Sequence, residues 1–353
     1  MIDHTAVIGQ FKGRVLHAYG LIYAAWLAVS DFMVDMFHTE NIAKCGYRWQ
    51  PVAVEMGNDI NCRLRKGDDM VEKKFFTEVV LLTKSYNLQD FKDWMHWHMD
   101  IIGFQRCHVF DNESSVDIKS ECQKYGDRVT YELVNGWPNQ YALYNRYINN
   151  ESPAWWVLPI DDDEFLYVSD KYKNNINVAL LTLQKKYPDM VKLSMSWKNM
   201  FPLEFTKTRT KSLIENATGW SDKASEALFS QWRQDNRWVK TAVNTMHQWY
   251  WGLPHNGGHN PSENGTNSRM SSYMCDGTII KDCADNILPP RSNLDMFVAH
   301  YQFKSDDEWR MKCAKRKSAA NQKFDKNKPC IYNDLYKYKH WFIEDKRMVT
   351  LWK

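Results

Sequence analysis

The stretch Trp155-Trp156-Val157-Leu158-Pro159-Ile160-Asp161-Asp162-Asp163-Glu164-Phe165 decides how this chain is read. Its first six residues are apolar and read as a short buried strand. Four carboxylates follow without a break. Packed side by side they repel and resist ionisation unless a cation neutralises them. Ligands that are all oxygen favour Mg²⁺ or Mn²⁺. Alternation in an extended segment would put Asp161 and Asp163 on one side and Asp162 on the other. The competing reading is an acidic turn that merely ends a strand, and the apolar residues on both sides weigh against it.

Working outward, the chain alternates between strand and helix patterns. Phe75–Thr83 reads as a buried strand and Leu88–Ile102 carries apolar residues at helical spacing. Cys107–Phe110 and Arg128–Val134 read as strands, Gln140–Asn149 as a helix and Trp155–Ile160 as the next strand. This order predicts an α/β fold with a mostly parallel central sheet flanked by helices. Ligands bind such sheets at the carboxyl ends of the strands, and two of these strands run into acidic residues, at Asp111 and at Asp161. Further on, Lys192–Trp197 and Phe297–Phe303 read as strands, and Ser221–Trp232 and 305–317 as helices. The glycine- and histidine-rich run His255–Asn260 reads as a loop.

The expected organisation is an N-terminal extension over residues 1–70, a main domain over 71–320 and a basic aromatic tail over 321–353. A helix is expected across Phe11–Phe37. Its apolar core, Ala18–Val29, is shorter than the roughly 20 residues that span a bilayer. A buried or interfacial helix is the first reading and a signal anchor the second. Hydrophobic residues make up 44% and charged residues 25% of the 353, which excludes wholesale disorder. The net charge of +3 gives no case for nucleic-acid binding. From Lys304 onward, however, basic residues outnumber acidic ones, which suits phosphates or peripheral contact with a membrane surface. The eight cysteines contain no C-x-x-C pair, so a structural zinc site is not expected.

Taken in order, these pieces resemble glycosyltransferases of the GT-A fold, near families 2 and 92. Asp161-Asp162-Asp163-Glu164-Phe165 resembles their Asp-x-Asp-Glu-Phe element. Lys84, Trp94, His98, Gly103 and Asp111-Asn112-Glu113-Ser114 resemble their opening block, and Gln140 with Tyr144-Asn145 the helix before the acidic motif. Glu215, Lys240, His300-Tyr301, Lys304-Ser305 and Lys312 fall where those families place such residues. The Lys-Asn-Glu turn of the families is Lys84-Ser85-Tyr86 here, and residues 1–70 match nothing in them.

The resemblance implies a metal-dependent transfer of sugar from a nucleotide-diphosphate donor, a UDP-sugar first, to a glycan hydroxyl with inversion. It places Lys84, Asp111, Asn112, Gln140, Asn145, Asp161, Asp162, Lys240 and Lys304 at the donor, and Asp161, Asp163 and His300 at Mn²⁺ or Mg²⁺. The diphosphate gains negative charge as it leaves, so a metal and a lysine suit it. A carboxylate must take the acceptor proton. Glu215 is the first candidate, with Asp222 and Asp235 as alternatives. His300 also has a local argument, since the apolar run Phe297-Val298-Ala299 delivers it to a strand end and imidazole shifts preference toward Mn²⁺. The competing reading is a buried histidine bonded to a backbone carbonyl. Two rivals from other classes are a non-catalytic glycan-binding or scaffold protein with the same fold, and a metal-dependent phosphotransferase. The expected location is cytoplasmic or membrane-peripheral, or the Golgi lumen if Ala18–Val29 is an anchor.

Overall fold

The computed structural model describes residues 71–136, 140–229, 236, 238–247, 249, 260–261, 267–268, 272–280, 294–315 and 336–353. The expected N-terminal helix, residues 255–259 of the His255–Asn260 loop, Trp232 and Asp235 lie outside them.

The fold is α/β, with a mostly parallel central sheet flanked by helices. Strand β1 (Phe75–Thr83) leads into helix α1 (Leu88–His96), which continues as a π-helical turn over Trp97–Ile101. Strand β2 (Arg106–Asp111) follows, then α2 (Ile118–Gln123), β3 (Val129–Leu133), α3 (Gln140–Asn150) and β4 (Ala154–Pro159). These four strands pair in the order β3-β2-β1-β4, all parallel. A helix intervenes between each consecutive pair, as parallel pairing requires. Helices on the faces explain why β1 reads as a near-continuous apolar run, with Val79, Val80 and Leu81 buried. The one acid within it, Glu78, is fully buried and accepts hydrogen bonds from Tyr147, Ser152 and Arg106.

After β4 come β5 (Glu164–Val168), α4 (Ile176–Lys186), β6 (Lys192–Phe201), α5 (Leu213–Asn216), β7 (Gly219–Trp220), α6 (Asp222–Phe229) and β8 (Val239–Asn244). Strand β8 runs antiparallel between β4 and β6. Two-residue strands β9 (Asn260–Pro261) and β10 (Asn267–Ser268) form a separate ladder, while β11 (Ser272–Tyr273) and β12 (Ile279–Ile280) extend the sheet beyond β6. Strand β13 (Met296–His300) lies between β5 and β6, antiparallel to the first and parallel to the second, and α7 (Asp306–Lys315) follows. Among the longer of these elements, β5, α4 and β8 were not singled out in the sequence. The first merges with the acidic motif, and the third mixes polar and apolar residues because Lys240 and Thr241 are both buried in it.

Residues 336–353, expected as part of a tail, build into the same body. Strand β14 (Ile343–Glu344) pairs with β7, and α8 (Arg347–Trp352) closes the chain. Phe342 stacks on Phe201 with centroids 4.8 Å apart, and Trp352 stacks on Trp97. The Lys198 ammonium, wholly buried, pairs with Asp345, which also binds Arg347. At the other end, Gly103 sits at φ +81, where a side chain would be strained and would run into Asn175.

Candidate functional site

Parallel strands bring their carboxyl ends to one edge. Thr83 of β1 stands level with Asp111 of β2, and β4 delivers Asp161 two residues past its end at Pro159. The acidic run is not extended. The Glu164 amide donates to the Asp161 carbonyl at 3.1 Å, so Asp161–Glu164 is a turn into β5. This corrects the expectation that Asp161 and Asp163 share one face.

The turn separates the four carboxylates into different environments. Asp161 points at cations and donors: Lys240 Nζ donates to Oδ2 at 2.8 Å and Gln140 Nε2 to Oδ1 at 3.2 Å. Its carbonyl accepts from Trp94 Nε1 and its amide donates to Glu164 Oε2. Lys240 bridges to Glu164 Oε2 at 3.0 Å as well. Burial lifts the Glu164 carboxyl above its ordinary range, with Lys240 opposing and Asp161 adding to the rise. Burial alone would pull Lys240 down, but Asp161 and Glu164 outweigh it and hold the lysine charged. Lys240, expected at the donor diphosphate, is therefore a buried counter-ion beneath the acidic turn, and Asp161, expected as a metal ligand, is its partner. The pairing answers the repulsion that the sequence posed: one of the neutralising cations is a lysine of β8.

Asp162 is oriented by Thr83, whose hydroxyl donates to Oδ2 at 2.6 Å. Asp163 is buried and its carbonyl accepts from the Tyr301 amide. The structure brings His300 to it: strand β13 runs beside β5, with His300 opposite Glu164, and His300 Nε2 lies 3.5 Å from Asp163 Oδ1. The other ring nitrogen, Nδ1, is 3.2 Å from Gln302 Nε2. Lys304 completes this corner. Its ammonium donates to Asp90 of α1 at 3.1 Å, and Arg209 holds the other Asp90 oxygen. Burial pulls Lys304 down, but Asp90, then Asp162, Asp163 and Glu308, outweigh it and raise it to about 12. Asp90, Arg209, Thr83 and Gln302 carried no signal in the sequence, because each acts through a partner distant along the chain.

The other candidates spread along the same edge. Asp111 is buried and bonded: Oδ1 accepts from the Ser114 amide and Oδ2 from the Tyr131 hydroxyl at 2.7 Å. Asn112 donates to the Val134 and Gly136 carbonyls, tying the loops after β2 and β3 together. Lys84 is exposed beside Glu113, 3.7 Å away. Asn145 is half-buried next to Tyr144, whose hydroxyl accepts from Gln140. Glu215 is exposed; its backbone amide donates to the N-cap hydroxyl of Ser212, and that hydroxyl donates to the Glu215 carboxylate. The next residue, Asn216, donates to the Lys304 carbonyl at 2.8 Å, which ties α5 to the segment after His300. Asp222 accepts from Asn236 at 2.7 Å.

His98 is fully buried between the Trp94 carbonyl and the Leu166 amide, in keeping with a packed histidine, whereas His96 is exposed beside Asp100. Trp249 is buried, and its indole nitrogen donates to the Asn244 carbonyl at 2.7 Å. Cys107, Cys122 and Cys275 are free buried thiols. Among the described residues no helix is long and apolar enough to cross a membrane.

No protein-family model and no curated protein matches this chain. Among solved structures it is similar to TarS of S. aureus at 12% identity and TM-score 0.25, over 38% of this chain and 23% of that one. It is similar to glucosyl-3-phosphoglycerate synthase from Mycobacterium tuberculosis, in complex with Mn²⁺, UDP and glucosyl-3-phosphoglycerate, at 14% identity and TM-score 0.26, over 48% and 57%. It is also similar to 4-diphosphocytidyl-2C-methyl-D-erythritol synthase from Anaerococcus prevotii at 9% identity and TM-score 0.26, over 48% and 70%. The chain thus spans less than two thirds of the first two.

Proposed function

We propose that this chain is a GT-A-type glycosyltransferase that moves a sugar from a nucleotide-diphosphate donor, a UDP-sugar first, to a glycan hydroxyl. The observation that carries the reading is the corner formed by Asp163, His300 and Lys304. Two segments far apart in sequence place a carboxylate, an imidazole and an ammonium together at the carboxyl edge of a parallel sheet.

The corner fits a divalent cation as a half-site. Among the described residues no group of three or more His, Cys, Asp or Glu is arranged to hold a metal. Asp163 Oδ1 and His300 Nε2 nonetheless offer one oxygen and one nitrogen side by side. Mg²⁺ and Mn²⁺ are commonly held by one or two protein groups, with water and substrate phosphate filling the rest. Asp163 and His300 would hold it, with Mn²⁺ favoured by the imidazole. When bound, the cation neutralises the charge that grows on the departing diphosphate.

The chain's own groups do the remainder. Lys304 presents a fixed positive charge to the diphosphate, held in place by Asp90. Thr83 orients Asp162, and the Asp111–Ser114 turn shapes the loop against which the nucleoside would lie. Lys240 and Gln140 fix Asp161, so the turn itself does not shift as charge develops. Glu215 is the proposed base, because it is exposed on the helix tied to Lys304, whereas Asp222 is engaged with Asn236. The test is a screen of nucleotide sugars with Mn²⁺ for release of free nucleoside diphosphate. Turnover of one donor that is lost in Asp163→Asn supports the reading. Release from none of them, with acceptor glycans present, favours the scaffold rival.

A further inference from the structure

The buried side of His300 opens onto a chain of neutral polar side chains. Gln302 Nε2 lies 3.2 Å from His300 Nδ1 and donates to Asn199 Oδ1 at 3.1 Å. Asn199 Nδ2 donates to Ser225 Oγ at 2.8 Å, and Ser225 donates to Asn236 Oδ1 at 3.1 Å. Asn236 Nδ2 then donates to Asp222 Oδ1. Gln302, Asn199, Ser225 and Asn236 are each no more than 3% exposed. Burying four uncharged polar groups in a row costs free energy unless every bond is made. Packing alone would be served as well by apolar residues.

We propose that Gln302 is a positioning residue that sets which nitrogen of His300 carries the proton, and so sets the affinity of the corner for a divalent cation; this rests on the metal reading above. With the bonds as they stand, Gln302 gives one amide hydrogen to Asn199 and directs the other at Nδ1. Nδ1 then accepts, and the ring proton sits on Nε2, facing Asp163. A cation needs the Nε2 lone pair, so the proton must move to Nδ1 and find an acceptor there. The chain can supply one by reversing. Rotating the Gln302 amide puts Oε1 on Nδ1–H. Rotating the Asn199 amide puts Nδ2 on Gln302, and the Ser225 hydroxyl turns to donate to Asn199 Oδ1. The ring loses one proton from Nε2 to solvent and takes one from solvent at Nδ1 while its contact with Gln302 is open, so its charge is unchanged. Asn236 Oδ1 keeps the Asn199 backbone N–H as donor at 2.7 Å, and Ser225 Oγ keeps the Asn236 backbone N–H at 3.1 Å. Only side chains that both donate and accept can reverse in this way, which accounts for two amides and a hydroxyl where a carboxylate would have fixed one direction.

The test is made on the full chain with two variants. Mn²⁺ alone is titrated and its free fraction read by electron paramagnetic resonance. ¹⁵N-histidine spectra report the ring tautomer without metal and with Mg²⁺, with His300→Ala identifying the resonance. In the unsubstituted protein without metal, His300 should be the Nε2–H form and should shift to Nδ1–H as Mg²⁺ binds. Gln302→Met keeps the length and removes both polar atoms. It should weaken Mn²⁺ binding ~10- to 100-fold, the range for loss of a partner to a ligating histidine. Gln302→Glu offers only acceptors. It should hold Nδ1–H without metal and bind Mn²⁺ at least as tightly as the parent. A Gln302→Met variant that melts like the parent yet binds Mn²⁺ within twofold of it overturns the proposal. So does an unchanged His300 tautomer in Gln302→Glu. If the parent binds no Mn²⁺, the metal reading fails, while the tautomer in metal-free protein still decides whether Gln302 controls the ring.

Discussion

Lys240 and Asp161 make each other tolerable below the acidic turn, and that interdependence separates their role from that of Asp163. Lys240→Met removes the ammonium that pairs with Asp161 and with the buried Glu164. Removing one partner of a buried pair costs about 3–5 kcal/mol, because the other charge is stranded. The expected loss, read from urea unfolding, is about 3 kcal/mol. Asp163→Asn removes a charge from a crowded acidic corner, so stability should hold or rise, while donor turnover falls at least ~100-fold. Glu215 offers a third contrast. Glutamine can still accept from the Ser212 hydroxyl that caps α5, so Glu215→Gln should melt like the parent and lower kcat ~100-fold or more, the scale of losing a general base. Steady-state kinetics with unchanged kcat would remove Glu215 from that role.

At the scale of elements, the π-helical turn after α1 carries a consequence for pH. Burial pulls the His98 imidazole down to about 3, against the hydrogen bond to the Trp94 carbonyl. Its folded pKa is below the unfolded value of 6.5, so the unfolded chain takes up a proton that the native one refuses. Stability from this group is full above pH 6.5 and is lost as pH falls toward 3, at about 1.4 kcal/mol per pH unit. His108, also pulled down to about 3 by burial and then by Arg106 and Arg146, adds to the same slope. Unfolding midpoints should drop between pH 7 and 5, and His98→Gln should flatten the slope while lowering stability at pH 7. The strands that define this sheet were legible because their residues are apolar on both faces, as in β1 and β4. The placement of His300 beside the acidic motif was approached through the apolar run before it. The turn at Asp161–Glu164 was not legible, since a run of carboxylates looks the same extended or turned. Nor was the role of Lys240, because its partners come from β4 and β5 and nothing local to β8 announces them.

At the scale of the whole molecule, residues 336–353 pack on both the β6–β7 region, through Phe342 and β14, and the π-helical turn after α1, through Trp352. Basic composition pointed to phosphates or a membrane surface, and composition cannot show that Asp345 neutralises a lysine buried in β6. Asp345→Ala should cost about 3 kcal/mol by stranding Lys198. Because Ala299 and His300 of β13 lie level with Lys198 and Asn199 of β6, the same change should also weaken metal binding at His300. The claim beneath all of this is that the edge where β1, β2 and β4 end holds a nucleotide together with a metal. Thermal unfolding of the full chain with UDP or GDP, each with and without Mn²⁺, tests it most directly. A melting temperature raised by one nucleotide only when Mn²⁺ is present, and not raised in Asp163→Asn, is the predicted result. A melting temperature that no nucleotide shifts under any condition, or a shift equal in parent and Asp163→Asn, would contradict it.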